Sequence, residues 1–100
     1  MEFIQVIDYE TDRPEEMWAL SEQYRKEREG EPGGPNRVTI VQDRENPRRF
    51  LSIVEFPSYE EAMRNNDRPE VQEFSAGMGA LCTRPPVFVN GDLQQRIEFG

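Results

Sequence analysis

Apolar positions along this chain follow two rhythms, one of period two and one between three and four, and turn residues fill the breaks between them. Residues 3–9 (FIQVIDY) are rich in β-branched and aromatic side chains. They predict a strand with Phe3, Ile7 and Tyr9 on one face and Ile4 and Val6 on the other. Met17, Leu20 and Tyr24 then recur at helical spacing. Asp12-Arg13-Pro14-Glu15 opens that helix, with Asp12 as cap, Pro14 in the first turn and Glu15 completing a reciprocal cap. Gly30-Glu31-Pro32-Gly33-Gly34-Pro35 stops it and forms the longest loop. Residues 37–43 and 49–56 predict two strands joined as a hairpin through Arg44-Glu45-Asn46-Pro47-Arg48.

Ser58-Tyr59-Glu60-Glu61 is a capping box, so a second helical region starts there. It breaks near Asn65-Asn66 and restarts at Asp67-Arg68-Pro69-Glu70, with Val71, Phe74, Met78 and Leu81 as the next apolar stripe. Gly77 and Gly79 weaken that helix, which suits either close approach of a neighbouring backbone or simple tolerance of Gly. Asp-Arg-Pro-Glu occurs at both helix starts, and capping alone explains the echo. Residues 87–89 extend again, Asn90-Gly91-Asp92 predicts a turn, and Leu93, Ile97 and Phe99 at even spacings predict a last strand.

This order predicts one α+β domain over residues 1–100. It is a ferredoxin-like βαββαβ fold with a four-stranded antiparallel sheet and two helices on one face. Helices cover only one side of such a sheet, yet the strands are apolar on both: Ile4 and Val6 beside Phe3 and Ile7, Val41 beside Val38 and Ile40, Val54 and Phe56 beside Leu51 and Ile53. The expected cover for the second face is the same face of a second subunit, giving a homodimer.

Charge and composition narrow the partners. A net charge of -8 gives a field that repels phosphate backbones and anionic lipid, so neither nucleic acid nor membrane is expected. Arg44, Arg48 and Arg49 near the hairpin read as a solvated loop, and Glu15, Glu16, Glu22, Glu27 and Glu29 as the exposed charges of the first helix. Cys82 is the single cysteine, which excludes an intrachain disulfide and a Cys-based zinc site. Its small and apolar neighbours suit a buried inert thiol. The first residues show no basic segment leading into an apolar one, and no apolar run reaches the ~18 residues of a membrane span, so a cytoplasmic protein is expected. The chain holds no histidine. Ser-His-Asp and Cys-His catalysis, His-ligated haem and the commonest catalytic zinc sites are thereby excluded.

Glu55-Phe56-Pro57-Ser58-Tyr59-Glu60-Glu61-Ala62-Met63, followed by Asn66, Pro69 and Phe74, resembles the dimeric α+β-barrel superfamily that includes the antibiotic-biosynthesis-monooxygenase-like proteins. Element order matches over nearly the whole chain, and residues match over about twenty positions, mostly caps and core. The resemblance implies a dimeric α+β barrel with a small ligand between sheet and helices. Members include cofactor-independent oxygenases acting on polycyclic phenols, haem-degrading enzymes, lactone isomerases and proteins without assigned activity. Where many relatives carry a His after the Glu-Ala-Leu stretch, this chain has Asn66, a departure that removes an imidazole base or haem ligand.

Four residues remain as ligand-pocket candidates: Trp18, Tyr24, Asn66 and Arg64. Trp18 falls at the edge of the first helical stripe, where an indole either packs on the sheet or covers a pocket. Tyr24 ends that stripe, as a core residue or as a hydroxyl in a cleft. Asn66 sits at the helix break, as a turn former or as an amide for a carbonyl or oxyanion. In relatives that oxidise phenols without metal or flavin, Trp, Asn, Tyr and Arg groups hold the substrate and its anion. The resemblance thus implies a cofactor-independent monooxygenase-like enzyme for a small aromatic or polyketide-type substrate. The other readings are a non-catalytic small-molecule binder and a structural or stress-related dimer. No catalytic residue, metal or cofactor is assigned from the sequence.

Overall fold

The computed structural model describes residues 1–100. Its elements are β1 (Phe3–Glu10), α1 (Pro14–Glu27), β2 (Arg37–Gln42), β3 (Arg49–Phe56), α2 (Tyr59–Asn66), α3 (Pro69–Leu81) and β4 (Val87–Asp92). The strands form one antiparallel sheet in the order β2-β3-β1-β4, the ferredoxin-like arrangement the hydrophobic pattern predicts. The broken second helix is two helices, α2 and α3, so three helices and not two accompany the sheet.

Register explains which side chains meet. Phe3 stands opposite Phe56, Ile7 opposite Ser52 and Tyr9 opposite Phe50, and opposed residues share a face. This face carries the core. Phe3, Val54 and Phe56 pack on Ala62 of α2, while Tyr9 and Phe50 pack on Met17 of α1, with Met78 and Leu81 of α3 alongside. Tyr9 and Phe50 stack at 5.6 Å, and Phe3 meets Tyr59 edge-on at 5.4 Å. The helices cover the two central strands and leave Val38, Ile40 and Phe88 on the outer strands exposed.

Alternation puts Ile4, Val6, Val41, Leu51, Ile53, Val87 and Val89 on the opposite face, where no helix lies. Charged clusters bound this apolar strip at both ends. At one end Arg49 grips Asp8 through two hydrogen bonds of 3.0 and 2.8 Å, and Arg84 reaches the same carboxylate at 2.8 Å. At the other, Arg96 pairs with Glu55 at 2.7 Å.

Two local expectations change. Asp12 does not cap α1: its carboxylate pairs with Arg48, and Arg13 takes the cap position without a side-chain bond. Thr11 serves that turn instead, its hydroxyl accepting from the Arg13 N–H and donating to the Leu81 carbonyl. The turn expected at Asn90-Gly91-Asp92 is part of β4, because pairing with β1 places Gly91 opposite Ile4 and Asn90 opposite Gln5, whose amide it binds at 3.1 Å. Residues 93–100, expected to be the last strand, form no regular element. No helix is long and apolar enough to cross a membrane.

Candidate functional site

The break between α2 and α3 places a polar side chain deep in the molecule. Ser58 caps α2 by accepting from the Glu61 N–H at 3.1 Å, which sets the helix phase and turns Ala62 into the core. Asn65 is one turn further on the same inward face. It is 6% exposed, and its Oδ1 is the one buried side-chain polar atom without a hydrogen-bond partner. A buried acceptor left empty costs about 1–3 kcal/mol, so its retention asks for a reason.

The surroundings of Asn65 come from three segments. The last turns of α1 bring Tyr24 and Arg28, the start of α3 brings Glu70, and the glycine loop passes overhead. Gly34 adopts φ +89°, and a side chain there would meet Arg28 Nη2 at 3.7 Å and Asn65 Oδ1 at 3.8 Å. The left-handed turn is what calls for glycine here, since a Cβ would sit at ordinary contact distance from both neighbours. Arg28 is largely buried and pairs with Glu31 at 3.1 Å and Glu70 at 3.4 Å, while Arg68 donates to the Pro32 carbonyl at 2.9 Å. These contacts hold the loop over the asparagine.

Tyr24 stacks on Phe74 with ring centroids 4.4 Å apart. Burial raises its hydroxyl pKa; Arg28, Arg68 and the Asn65 amide act the other way, so the hydroxyl stays a neutral donor at physiological pH. The stack lies in a cleft of about 120 Å³ between α1 and α3, lined also by Leu20, Gln23, Glu27, Glu70 and Glu73. An open groove of about 400 Å³ continues past Leu20 along Glu16, Ala19, Gly77 and Leu81. Only the groove reaches the roughly 300–1,000 Å³ usual for small-molecule sites.

The four residues singled out in the sequence do not converge. Tyr24 lines the cleft. Trp18 is 48% exposed, meets Phe50 edge-on at 6.0 Å and lines neither the cleft nor the groove. Arg64 is exposed and paired with Glu61 at 2.8 Å. Asn66 is half-buried, with its backbone carbonyl accepting from Gln72 at 3.5 Å. The buried amide is its neighbour Asn65, and the spacing of three from Ala62 was the available signal. Arg28 carried no signal, since its burial depends on the loop folding over it. No three Cys, Asp or Glu side chains converge in a metal-binding cluster.

No family model and no curated protein matches this sequence. Solved structures do match. SnoaB, a cofactor-independent oxygenase from Streptomyces nogalater, is 16% identical with a TM-score of 0.79 over 96% of each chain. An asparagine-to-alanine mutant of that oxygenase gives a TM-score of 0.81. A conserved protein from Methanosarcina mazei is 12% identical with a TM-score of 0.80 over 94% of each chain. An antibiotic biosynthesis monooxygenase is 14% identical with a TM-score of 0.73, over 95% of this chain and all of that one. The chain therefore has the fold of the antibiotic-biosynthesis-monooxygenase-like proteins. At these identities the similarity is one of fold, and chemistry has to be argued from the site.

Proposed function

We propose that this protein is a cofactor-independent monooxygenase-like enzyme for a small aromatic or polyketide-type substrate, and that Asn65 and Tyr24 hold that substrate. The observation that carries the reading is the unpartnered Oδ1 of Asn65, buried beside a neutral phenol. An amide with a vacant acceptor accepts from a substrate hydroxyl, while the Tyr24 O–H and the Asn65 N–H can donate to a developing oxyanion. Arg28 is already paired with Glu31 and Glu70, so its part is to hold the loop over Asn65 rather than to attract an anion. The fold shared with a cofactor-independent oxygenase supports the same reading.

The reaction balances without a resident redox group. An activated ring carbon bearing two hydrogens loses a proton to give an electron-rich anion, which donates its electrons to O2. One oxygen atom stays on that carbon as a ketone and the other leaves as water, so the substrate is the reductant. The protein holds the anion and excludes solvent. Asn65 lines neither the cleft nor the groove, so bringing a ring to it requires the packing around the Tyr24–Phe74 stack to open.

Oxygen uptake with anthrones and electron-rich phenols tests this. Uptake well above the buffer rate, reduced about 100–1,000-fold in Asn65→Ala, is expected, as for loss of one oxyanion contact. Uptake at the buffer rate with every substrate overturns the enzyme reading. Saturable binding without turnover then favours the carrier alternative.

The reading includes a homodimer formed through the open sheet face and a cytoplasmic setting suited to the lone thiol of Cys82. The uncovered apolar strip between two charged clusters supports the dimer. Native mass spectrometry of freshly purified protein reads the subunit count and any retained small molecule in one sample.

A further inference from the structure

The loop between α1 and β2 is tied down by side chains and not by its own backbone. Its ends are fixed, the Glu31 N–H donating to the Arg28 carbonyl at 3.1 Å and the Asn36 N–H to the Glu55 carbonyl at 2.7 Å. Between them residues 32–35 make no hydrogen bond to other backbone, and two of the four are prolines with no N–H to give. Two arginines hold this middle part. Arg68 donates to the Pro32 carbonyl at 2.9 Å and lies 3.7 Å from Glu31, while Arg28 joins Glu31 at 3.1 Å to Glu70 of α3 at 3.4 Å. Glu31, half exposed, is the carboxylate that both arginines share. Both also act on the Tyr24 hydroxyl, so this latch stands at the hydroxyl end of the Tyr24–Phe74 stack. Under the loop, at Gly34, lies the vacant oxygen of Asn65. Neither the cleft nor the groove reaches it, so this conformation is closed to a ring-sized ligand.

We propose that residues 30–35 form a lid over Asn65, latched by Glu31 to Arg28 and Arg68, and that an aromatic ligand reaches Asn65 when this loop lifts while Tyr24 and Phe74 stay stacked; the inference rests on the substrate-holding role proposed above for Asn65. The two ways of opening the packing differ in cost. Parting the rings gives up an aromatic stack between two packed helices. Lifting the loop gives up one hydrogen bond and ion pairs with an exposed partner, for which water and salt compete. It leaves the sheet and all three helices in place. Glu31 and Arg68 are then positioning residues, acting on the ligand through the loop. Gly33 separates latch from strain. A Cβ there would stand 2.8 Å from Arg68 Nη2 and push the guanidinium off the Pro32 carbonyl, whereas at Gly30, with a similar φ of +82°, nothing lies within 4 Å.

Access to position 65 can be read without a ligand in two ways. Nuclear magnetic resonance follows exchange of the Asn65 side-chain amide protons with water, leaving that residue native. Methyl methanethiosulfonate reports the reactivity of a thiol placed there by Asn65→Cys in a chain that also carries Cys82→Ser. Glu31→Gln and Arg68→Gln should each speed both processes about 3–10-fold, as for loss of exposed ion pairs. Gly33→Ala should exceed Gly30→Ala, and Phe74→Leu should leave both rates within about twofold of the parent. Acceleration by Phe74→Leu and not by the latch variants, or rates that simply follow global stability in urea, overturns the lid. Stopped-flow binding of dithranol, an anthrone, reads the positioning role. Entry and release should quicken by one factor in Glu31→Gln with Kd unchanged, because the latch closes the empty and the filled site alike; a changed Kd at unchanged rates overturns that role. Oxygen uptake by the native chain separates the two proposals. Uptake at the buffer rate beside latch-controlled access overturns the oxygenase reading and leaves the lid standing, and uptake beside access insensitive to the latch does the reverse.

Discussion

Asp8 is held by two guanidinium groups at the end of the open face, and hydrogen bonds from Arg49 and then Arg84 pull its pKa down to about 2 from an ordinary 3.8. A folded-state pKa below the unfolded one stabilises the fold above the unfolded value. The contribution is therefore whole above about pH 4 and is lost as pH falls through 2. The carboxylate is partly solvated, so after screening it is worth about 1 kcal/mol. Asp8→Asn should be less stable than the parent by about that amount at pH 7, and urea titrations should show the difference closing as pH approaches 2. A gap that persists at low pH would assign the loss to packing and not to charge. Asn65 gives the opposite expectation. Its vacant oxygen costs stability, so Asn65→Ala should unfold within about 1 kcal/mol of the parent, or above it, while losing substrate oxidation or binding. A large loss of stability would instead make Asn65 a structural residue.

The two helix starts show what a sequence can specify. At Ser58 the capping box works through residues three apart in the chain, and the structure contains the bond it predicts. At Asp12 a competing partner distant in sequence decides the outcome: Arg48, brought in by the β2–β3 hairpin, takes the carboxylate at 2.6 Å. Ser58→Ala should therefore cost about 1 kcal/mol, whereas Asp12→Ala should change stability by less than about 0.5 kcal/mol, because its ion pair is exposed. Paired thermal melts check both, and equal losses would show that Asp12 does cap α1. The same distinction runs through the rest of the chain. Strand faces, helix stripes and the break at Asn65-Asn66 follow from local periodicity and were legible. The extension at residues 87–89 was legible too, but the course of residues 90–100 was not, since pairing with β1 overrides the turn preference of Asn90-Gly91. The site was legible only at Tyr24. Asn65, Arg28 and Gly34 meet through the packing of a loop on two helices, and no local pattern encodes that meeting.

At the scale of the whole molecule, a net charge of -8 opposes association while the uncovered face favours it. Like-charged copies repel over distances that salt screens, with a Debye length near 10 Å at 0.1 M and about 3 Å at 1 M. Apolar contact is not weakened by screening. The arginine pairs around Asp8 and Glu55 lie within each copy at the ends of the strip and satisfy each other, so they need no partner across the interface. Dimer affinity should therefore rise with sodium chloride between about 0.05 and 0.5 M, the reverse of an interface held by ion pairs between subunits. Ile53 lies near the middle of the strip, opposite Val6 on β1, so in the proposed dimer Ile53→Asp would bury an unpaired carboxylate. That substitution should give a monomer that keeps the far-ultraviolet spectrum of the parent, because the helix-side core is untouched. Sedimentation equilibrium across the salt series decides between the two kinds of interface. Affinity that falls with salt, or an Ile53→Asp dimer as tight as the parent, would place the contact somewhere other than the open sheet.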